Sequence, residues 1–197
     1  MAEASPASAP GDKPALRAEA RERRRIMTSD EKAAAEAGLG KNLYALATEY
    51  GAKRIACYLS GADEPTTRGF IDQVMADGID VLVPVSREDG LMDWALCDRE
   101  GESLDVLGMP IPTSELLGPM AVDGVDVMFI PASLVDAKGG RMGWGRGYFD
   151  RMLGSMAHRP PVFAVVYDHE VIDNVPIEPH DQGVDGAVTP TQIIRFG

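Results

Sequence analysis

The chain is short of several things at once, and each shortage removes a class of function. It has two cysteines in 197 residues. Cys57 and Cys97 have neither metal-ligand spacing nor the number for a disulfide framework, so a reducing, cytoplasmic setting is expected. Three scattered histidines make no metal constellation, and no Ser-His-Asp or Cys-His nucleophile is evident. Basic residues are outnumbered, 19 against 31, for a formal net charge of −12, which argues against nucleic acid or an anionic membrane surface as the main partner. No apolar run approaches the length of a membrane span, and no secretory hydrophobic region is seen.

What is present suits one globular domain. Hydrophobic residues make up 45% of the chain, enough for a sizeable core. Residues 1–12, rich in Ala, Ser and Pro, read as a disordered tail, and 13–197 as a single domain, expected to be a monomer. Lys13 to Met27, dense in Ala, Arg and Glu, predicts a helix. Thr28 with Glu31 forms a capping box for a second helix, with Leu39, Leu43, Leu46 and Tyr50 on its inner face and Gly51 as its stop. The clustered Arg21, Arg23, Arg24 and Arg25 read as a solvated helix face.

Beyond Gly51 the pattern changes to short apolar runs separated by helices. Strands are predicted over 54–60, 80–86, 91–97, 125–131, 161–167 and 184–189, and helices over 67–77 and from about Tyr148. Pro110 to Pro119 reads as loop. Buried strands alternating with helices imply an α/β layer fold with a mostly parallel sheet. In such a sheet ligands collect beyond the carboxyl ends of the strands, where Glu64, the segment after Pro131, Asp168 and Asp181 would meet.

The most informative stretch is Arg141 to Asp150, Arg-Met-Gly-Trp-Gly-Arg-Gly-Tyr-Phe-Asp. Glycine has no Cβ, so Gly143, Gly145 and Gly147 let backbone N–H groups turn toward one point and let a ligand come close. Arg141 and Arg146 add positive charge in an acidic protein, and a helix begins just after. Such a loop suits an anion, most plausibly phosphate. The spacing is neither the dinucleotide fingerprint nor a P-loop, and the plain alternative is a flexible surface turn. Asp150 either complements the helix dipole or holds a magnesium ion, which needs hard oxygen ligands.

Val125 to Pro131, Asp136 and the glycine stretch with its Tyr-Phe-Asp-Arg ending resemble the signature of the 5-formyltetrahydrofolate cyclo-ligase family, also called methenyltetrahydrofolate synthetases. Lys13-Pro14-Ala15-Leu16-Arg17, Glu64 before Thr67, and Glu178-Pro179-His180-Asp181 fall in the expected order. The resemblance implies a single three-layer Rossmann-like domain close to the sugar-phosphate isomerase and CoA-transferase type. It implies that ATP and 5-formyltetrahydrofolate are the substrates, with Mg2+ as cofactor.

It also implies roles, residue by residue. Lys13 and Arg17 reach the nucleotide phosphates, and Arg141, Gly143, Trp144, Gly145, Arg146, Gly147, Tyr148 and Phe149 of the loop also bind ATP. Arg141, Arg146 and Tyr148 serve catalysis. Leu59, Glu64, Trp144 and Tyr148 contact the folate, with the Glu64 carboxylate accepting paired N–H donors of the pterin ring. Asp150 and Asp181 are the magnesium-associated acids. The chain departs from the family pattern at Thr66, where a second acid is usual, and at Ala132, where glycine usually follows the proline. Two rivals are weighed with this reading. One is a folate-binding or regulatory paralogue without turnover, the other a sugar-phosphate isomerase of similar fold.

Overall fold

A computed structural model describes residues 12–197. The tail expected over residues 1–12 thus falls outside the described residues except for Asp12. In chain order the elements are α1 (Lys13–Ile26), α2 (Ser29–Glu49), β1 (Arg54–Cys57), α3 (Arg68–Ala76), β2 (Asp80–Ser86), β3 (Met92–Leu96), β4 (Glu102–Leu104), β5 (Pro110–Pro112) and β6 (Leu116–Leu117). They continue with β7 (Val127–Pro131), β8 (Leu134–Asp136), β9 (Arg141–Met142), α4 (Tyr148–Ser155), β10 (Val162–Val165), β11 (Val171–Ile172), β12 (Gly186–Val188) and β13 (Ile193–Arg195). Short 3-10 turns lie at Pro119–Gly124 and Asp168–Glu170.

The main sheet has eight strands in the order β13-β12-β10-β7-β1-β2-β3-β6. Its central strands β12, β10, β7, β1 and β2 run parallel, and antiparallel strands close both edges. Alternate residues of these strands serve opposite faces, as the pleat requires. Ile55, Cys57, Val127 and Phe129 pack on α2 and α3 through Leu39, Leu43, Leu46, Phe70, Ile71 and Val74. Ala56, Met128, Ile130 and Ala164 pack on the other side with Trp94, Val122 and Leu153 of α4. The result is a mixed α/β fold around a large, mostly parallel sheet with helices on both faces, as the alternation of runs implied.

From β1 the chain first moves to β2 on one side and later returns to β7 on the other. The crevice beyond the carboxyl ends of β1 and β7 is therefore a topological switch point, where open α/β sheets bind ligands.

Several local expectations are corrected. The first predicted strand ends at Cys57, because Tyr58 to Ser60 leave the sheet to carry the Thr67 region, with Tyr58 donating to the Pro65 carbonyl and Thr67 to the Tyr58 carbonyl. Tyr50 is exposed at the end of α2, and Ala35 and Ala47 share the inner face instead. Pro110 to Pro119 is not all loop: β5 pairs with β4, and β6 pairs with β3 as an edge strand. Prolines suit these places, since edge strands tolerate a missing donor. The strand at 184–189 is not the last, because β13 adds to it. A three-stranded sheet of β11, β8 and β9 has no counterpart in the sequence reading, its strands being too short to show a period.

The capping box at Thr28 and Glu31 forms as expected. Farther along α2, Gly38 faces the turn between β12 and β13, and a Cβ there would lie 2.1 Å from the Pro190 carbonyl oxygen. Asn42 Nδ2 ties the same turn by donating to Thr189 O at 2.9 Å. Gly38→Ala is expected to destabilise the fold by about 1–3 kcal/mol, the usual range for overpacking, measured by urea unfolding; an unchanged midpoint would mean that α2 does not bear on this turn.

Candidate functional site

The glycine stretch is held at its start by β9, which pairs with β8. Arg141 there is 3% exposed, and its Nη2 donates to Asp150 Oδ1. Asp150 Oδ1 also accepts from the Gln182 amide at 3.0 Å, so this acid binds the loop to the Asp181 segment. Among the described residues, no backbone N–H from Gly143 through Asp150 donates to a protein acceptor. The first turn of a helix always leaves such donors free. Here the free row extends through the loop ahead of it.

The three glycines are packed as well as bent. A Cβ at Gly143 would lie 2.9 Å from Arg141 Nη1, one at Gly145 3.2 Å from Arg17 Cζ, and one at Gly147 2.9 Å from Arg151 Nη1. Gly145 and Gly147 also have positive φ, 90° and 69°, and Gly147 caps α4 without a side-chain bond. Arginine thus fills the space that each missing side chain leaves. Arg151, in the motif but not assigned a role from sequence, bridges the Gly90 and Arg146 carbonyls at 2.8 and 3.0 Å and lies over the Tyr148 ring. Tyr148, expected in catalysis, gives its hydroxyl to the Arg87 carbonyl at 2.6 Å. Together they tie the start of α4 to the turn between β2 and β3. The Arg146 side chain stays exposed and makes no hydrogen bond among the described residues.

Helix α1 lies along this loop. Lys13, Arg17, Arg21 and Arg24, spaced by four and three, share one helical face. Lys13 Nζ donates to Glu178 Oε2 and Asp181 Oδ2, both at 2.6 Å. Arg17 Nε donates to the Gly143 carbonyl at 2.8 Å. Arg21 and Arg24 lie 5.0 and 4.9 Å from the centroid of Trp144. Arg24 is not a solvated residue as the sequence suggested: it is 1% exposed and forks onto Glu170 at 2.6 and 2.9 Å, with Ala132 O at 2.7 Å. An arginine run alone does not reveal which member finds a buried carboxylate. The i+4, i+4, i+3 spacing from Lys13 was the available signal.

These contacts set the local charge balance. Burial works against the Lys13 ammonium, but the hydrogen bonds and charge of Asp181 and Glu178 outweigh it and raise its pKa. Burial likewise works to raise Asp181, yet Lys13 and the Glu178 amide hold it below the usual carboxylate range. Glu64 goes the other way: burial pushes its carboxyl up, against the Gly61 amide at 2.9 Å and the nearby Arg24 charge.

All of this surrounds one cleft of about 1240 Å³ at the switch point. Every residue that the resemblance singled out lines it: Lys13, Arg17, Leu59, Glu64, Arg141, the loop from Gly143 to Phe149, Asp150 and Asp181. The wall facing the loop comes from Tyr58, Pro84, Met92 and the β4–β5 turn with Leu107 and Met109, none of which the sequence reading placed at the site. Asp105 holds that turn by accepting from the Ser86, Leu107 and Met109 amides. Thr66 is not in the cleft lining, its hydroxyl lying 3.5 Å from Ser60 Oγ. Asp168 is also outside it, accepting from the Thr189 and Thr191 hydroxyls.

A cation would meet hard oxygen donors here. Ligand atoms of Glu178, His180 and Asp181 lie within 4.8 Å of one another, while Asp150 is not part of that group. Asp150 Oδ2 and Asp181 Oδ1 accept no hydrogen bond among the described residues. Each acid thus keeps one free carboxylate oxygen, the other being paired with Arg141 in Asp150 and with Lys13 in Asp181.

The profile of the 5-formyltetrahydrofolate cyclo-ligase family matches residues 9–190. A 5-formyltetrahydrofolate cyclo-ligase from Mycolicibacterium smegmatis is 32% identical over 144 residues, covering 70% of this chain and 74% of its own length. The fold is similar to the NMR structure of Aquifex aeolicus 5,10-methenyltetrahydrofolate synthetase, with a TM-score of 0.78 at 23% identity, covering 93% of this chain and 92% of that one. It is also similar to a Mycoplasma pneumoniae 5,10-methenyltetrahydrofolate synthetase, with a TM-score of 0.73 at 22% identity over 91% of this chain and 99% of that one. No helix among the described residues is long and apolar enough to cross a membrane.

Gly145→Ala puts a methyl against Arg17 at a backbone angle that L residues rarely adopt. The strain is expected to destabilise the fold by about 1–3 kcal/mol, measured by urea unfolding; an unchanged midpoint would show that the loop tolerates a side chain there.

Proposed function

Since this chain belongs to the 5-formyltetrahydrofolate cyclo-ligase family, a family of ligases, we propose that it converts 5-formyltetrahydrofolate and ATP to 5,10-methenyltetrahydrofolate, ADP and phosphate. The observation that carries this reading is the run of unclaimed amides from Gly143 to Asp150 in the same cleft as the half-buried Glu64. An anion-binding backbone and a hydrogen-bond acceptor for a planar ring edge are the two halves this reaction requires.

A formamide carbonyl is a poor electrophile because its nitrogen donates into it. Transfer of the terminal phosphoryl group breaks its bond to ADP and makes one to the formyl oxygen. N10 of the folate then attacks the formyl carbon, closing a five-membered ring, and loses its proton. The C–O bond breaks and phosphate leaves with that oxygen. Ring closure is intramolecular, so the protein's task is alignment and charge neutralisation.

In this reading the loop amides, with Arg146 and Arg141, bind the transferring phosphoryl group. Lys13 and Arg17 take the remaining phosphates, with Lys13 exchanging a carboxylate partner for a phosphate oxygen. Phe149 and Trp144 border the nucleotide, and Tyr148 acts by fixing the start of α4 against Arg87. Leu59 and Glu64 bind the folate ring. Asp150 and Asp181 are the residues that would hold Mg2+, which neutralises phosphate charge when bound. Two free cysteines support a reducing, cytoplasmic setting.

The test is the absorbance of the methenyl product with both substrates and magnesium. Product and ADP are expected in equal amounts only when ATP is present. Folate binding without ADP release would identify a non-catalytic relative, and turnover of a sugar phosphate without ATP would identify an isomerase.

Glu64 must be ionised to accept two N–H donors. Its pKa is raised by burial, so the acceptor form is lost as pH falls, at a higher pH than for an ordinary glutamate. The KM for 5-formyltetrahydrofolate is expected to climb on acidification over that range while the KM for ATP does not. Glu64→Gln should raise the folate KM roughly tenfold or more and flatten this acid limb. A variant that keeps the limb would remove Glu64 from folate recognition.

A further inference from the structure

Arg24 holds more hydrogen-bonding capacity than its structural contacts use. Its Nε and Nη2 are committed to Glu170 and Ala132, but Nη1 is buried with no partner. An unmet buried N–H of a cation is unfavourable, and native proteins keep few of them. The orphan N–H belongs to a residue in the cleft lining, and the Trp144 ring lies over its guanidinium. The Glu64 carboxylate is close enough for the Arg24 charge to act on it. Glu64 Oε1 likewise accepts nothing among the described residues.

An acceptor and a donor left open in the lining of one cleft can read a ring edge of matching order. A pterin offers N–H donors and, directly beside them, a ring carbonyl. We infer that Arg24 is a further folate-binding residue, its Nη1 donating to the ring carbonyl next to the N–H edge taken by Glu64, with the Trp144 ring sliding off the guanidinium as the folate enters. This rests on the folate reading of the cleft. The arrangement also joins the two halves of the site. Trp144 belongs to the phosphate loop, so folate entry at Arg24 moves a residue between the free amides of Gly143 and Gly145. The fork onto Glu170 makes the donor stiff, because Glu170 is itself buried and caps the turn after β10 by accepting from the Tyr167 amide at 2.8 Å.

The assignment is tested by NMR of the guanidinium groups in the intact, 15N-labelled protein. Arg24→Lys serves for assignment, and unlabelled 5-formyltetrahydrofolate or tetrahydrofolate is the added ligand. Both folates are expected to shift the Arg24 Nη signals, because both carry the ring carbonyl. A shift with the formylated ligand only would make the formyl oxygen the partner and overturn the assignment. Saturating folate that leaves Arg24 unmoved, while Leu59 or Glu64 signals shift, would overturn it too and leave the proposed reaction standing. Failure of either folate to bind would sink the reading on which it rests.

Kinetics supply the second arm. Lysine keeps the charge but cannot keep the fork and the free donor together. Arg24→Lys is expected to raise the folate KM by about tenfold or more, with the KM for ATP within about twofold of wild type. Equal losses for both substrates would mean that Arg24 only holds the fold. Should the variant not fold, the Arg24 signals are assigned in the wild-type protein from their contacts with Glu170 and the Trp144 ring, and the wild-type titrations decide.

Discussion

The structure turns on a row of backbone N–H groups that the protein declines to satisfy. From Gly143 to Gly147 the chain forms neither strand nor helix, and its donors, with those of the first turn of α4, meet no internal acceptor. Leaving so many donors open is tolerable only at a surface or beside an anion. The surrounding residues hold the chain in that state. Arg141, Arg17 and Arg151 each occupy the volume of a missing Cβ, and the positive φ of Gly145 and Gly147 makes larger residues strained there. The same cations supply the positive field in a protein of net charge −12.

Helix α1 depends on the same constraint from the other side. It buries little apolar surface, with Ala20 and Arg24 its buried residues. Leu16 packs on Leu134, Met142 and Val175, and the helix's other attachments are polar: Lys13 to Asp181 and Glu178, Arg17 to the Gly143 carbonyl, Arg21 and Arg24 to the Trp144 ring, and Arg24 to Glu170. The exposed Arg23–Glu19 and Arg25–Glu22 pairs on its outer face contribute little by comparison. The helix therefore docks where the site is, and a ligand that recruits Lys13 or Arg24 changes how the helix is held. Fold and site share their contacts here, which explains why a helix of such polar composition has a fixed place.

Much of this was legible from residue order. The capping box at Thr28, the helix starting at Tyr148 and the parallel core strands follow from local chemistry that tertiary packing does not overrule. The glycine loop was legible because missing side chains and flanking arginines leave a pattern that few other arrangements produce. Other features were hidden for physical reasons. Arg24 looks like its neighbours Arg23 and Arg25 until Glu170, far along the chain, is folded beside it. Tyr148 and Asp150 read as ligand groups, yet their first partners are the Arg87 carbonyl and Arg141, because a loop this open must itself be anchored. The β4–β5 turn completes the cleft wall with Leu107 and Met109, and nothing in a proline-broken segment announces where it will land.

Amide hydrogen exchange from Gly143 through Asp150, with and without ATP and 5-formyltetrahydrofolate, bears on the central claim most directly. If the open donors receive the terminal phosphates, their exchange slows markedly when ATP binds, while the main-sheet amides stay unchanged. Exchange in this loop that remains fast during active turnover would place the phosphates elsewhere and contradict the account.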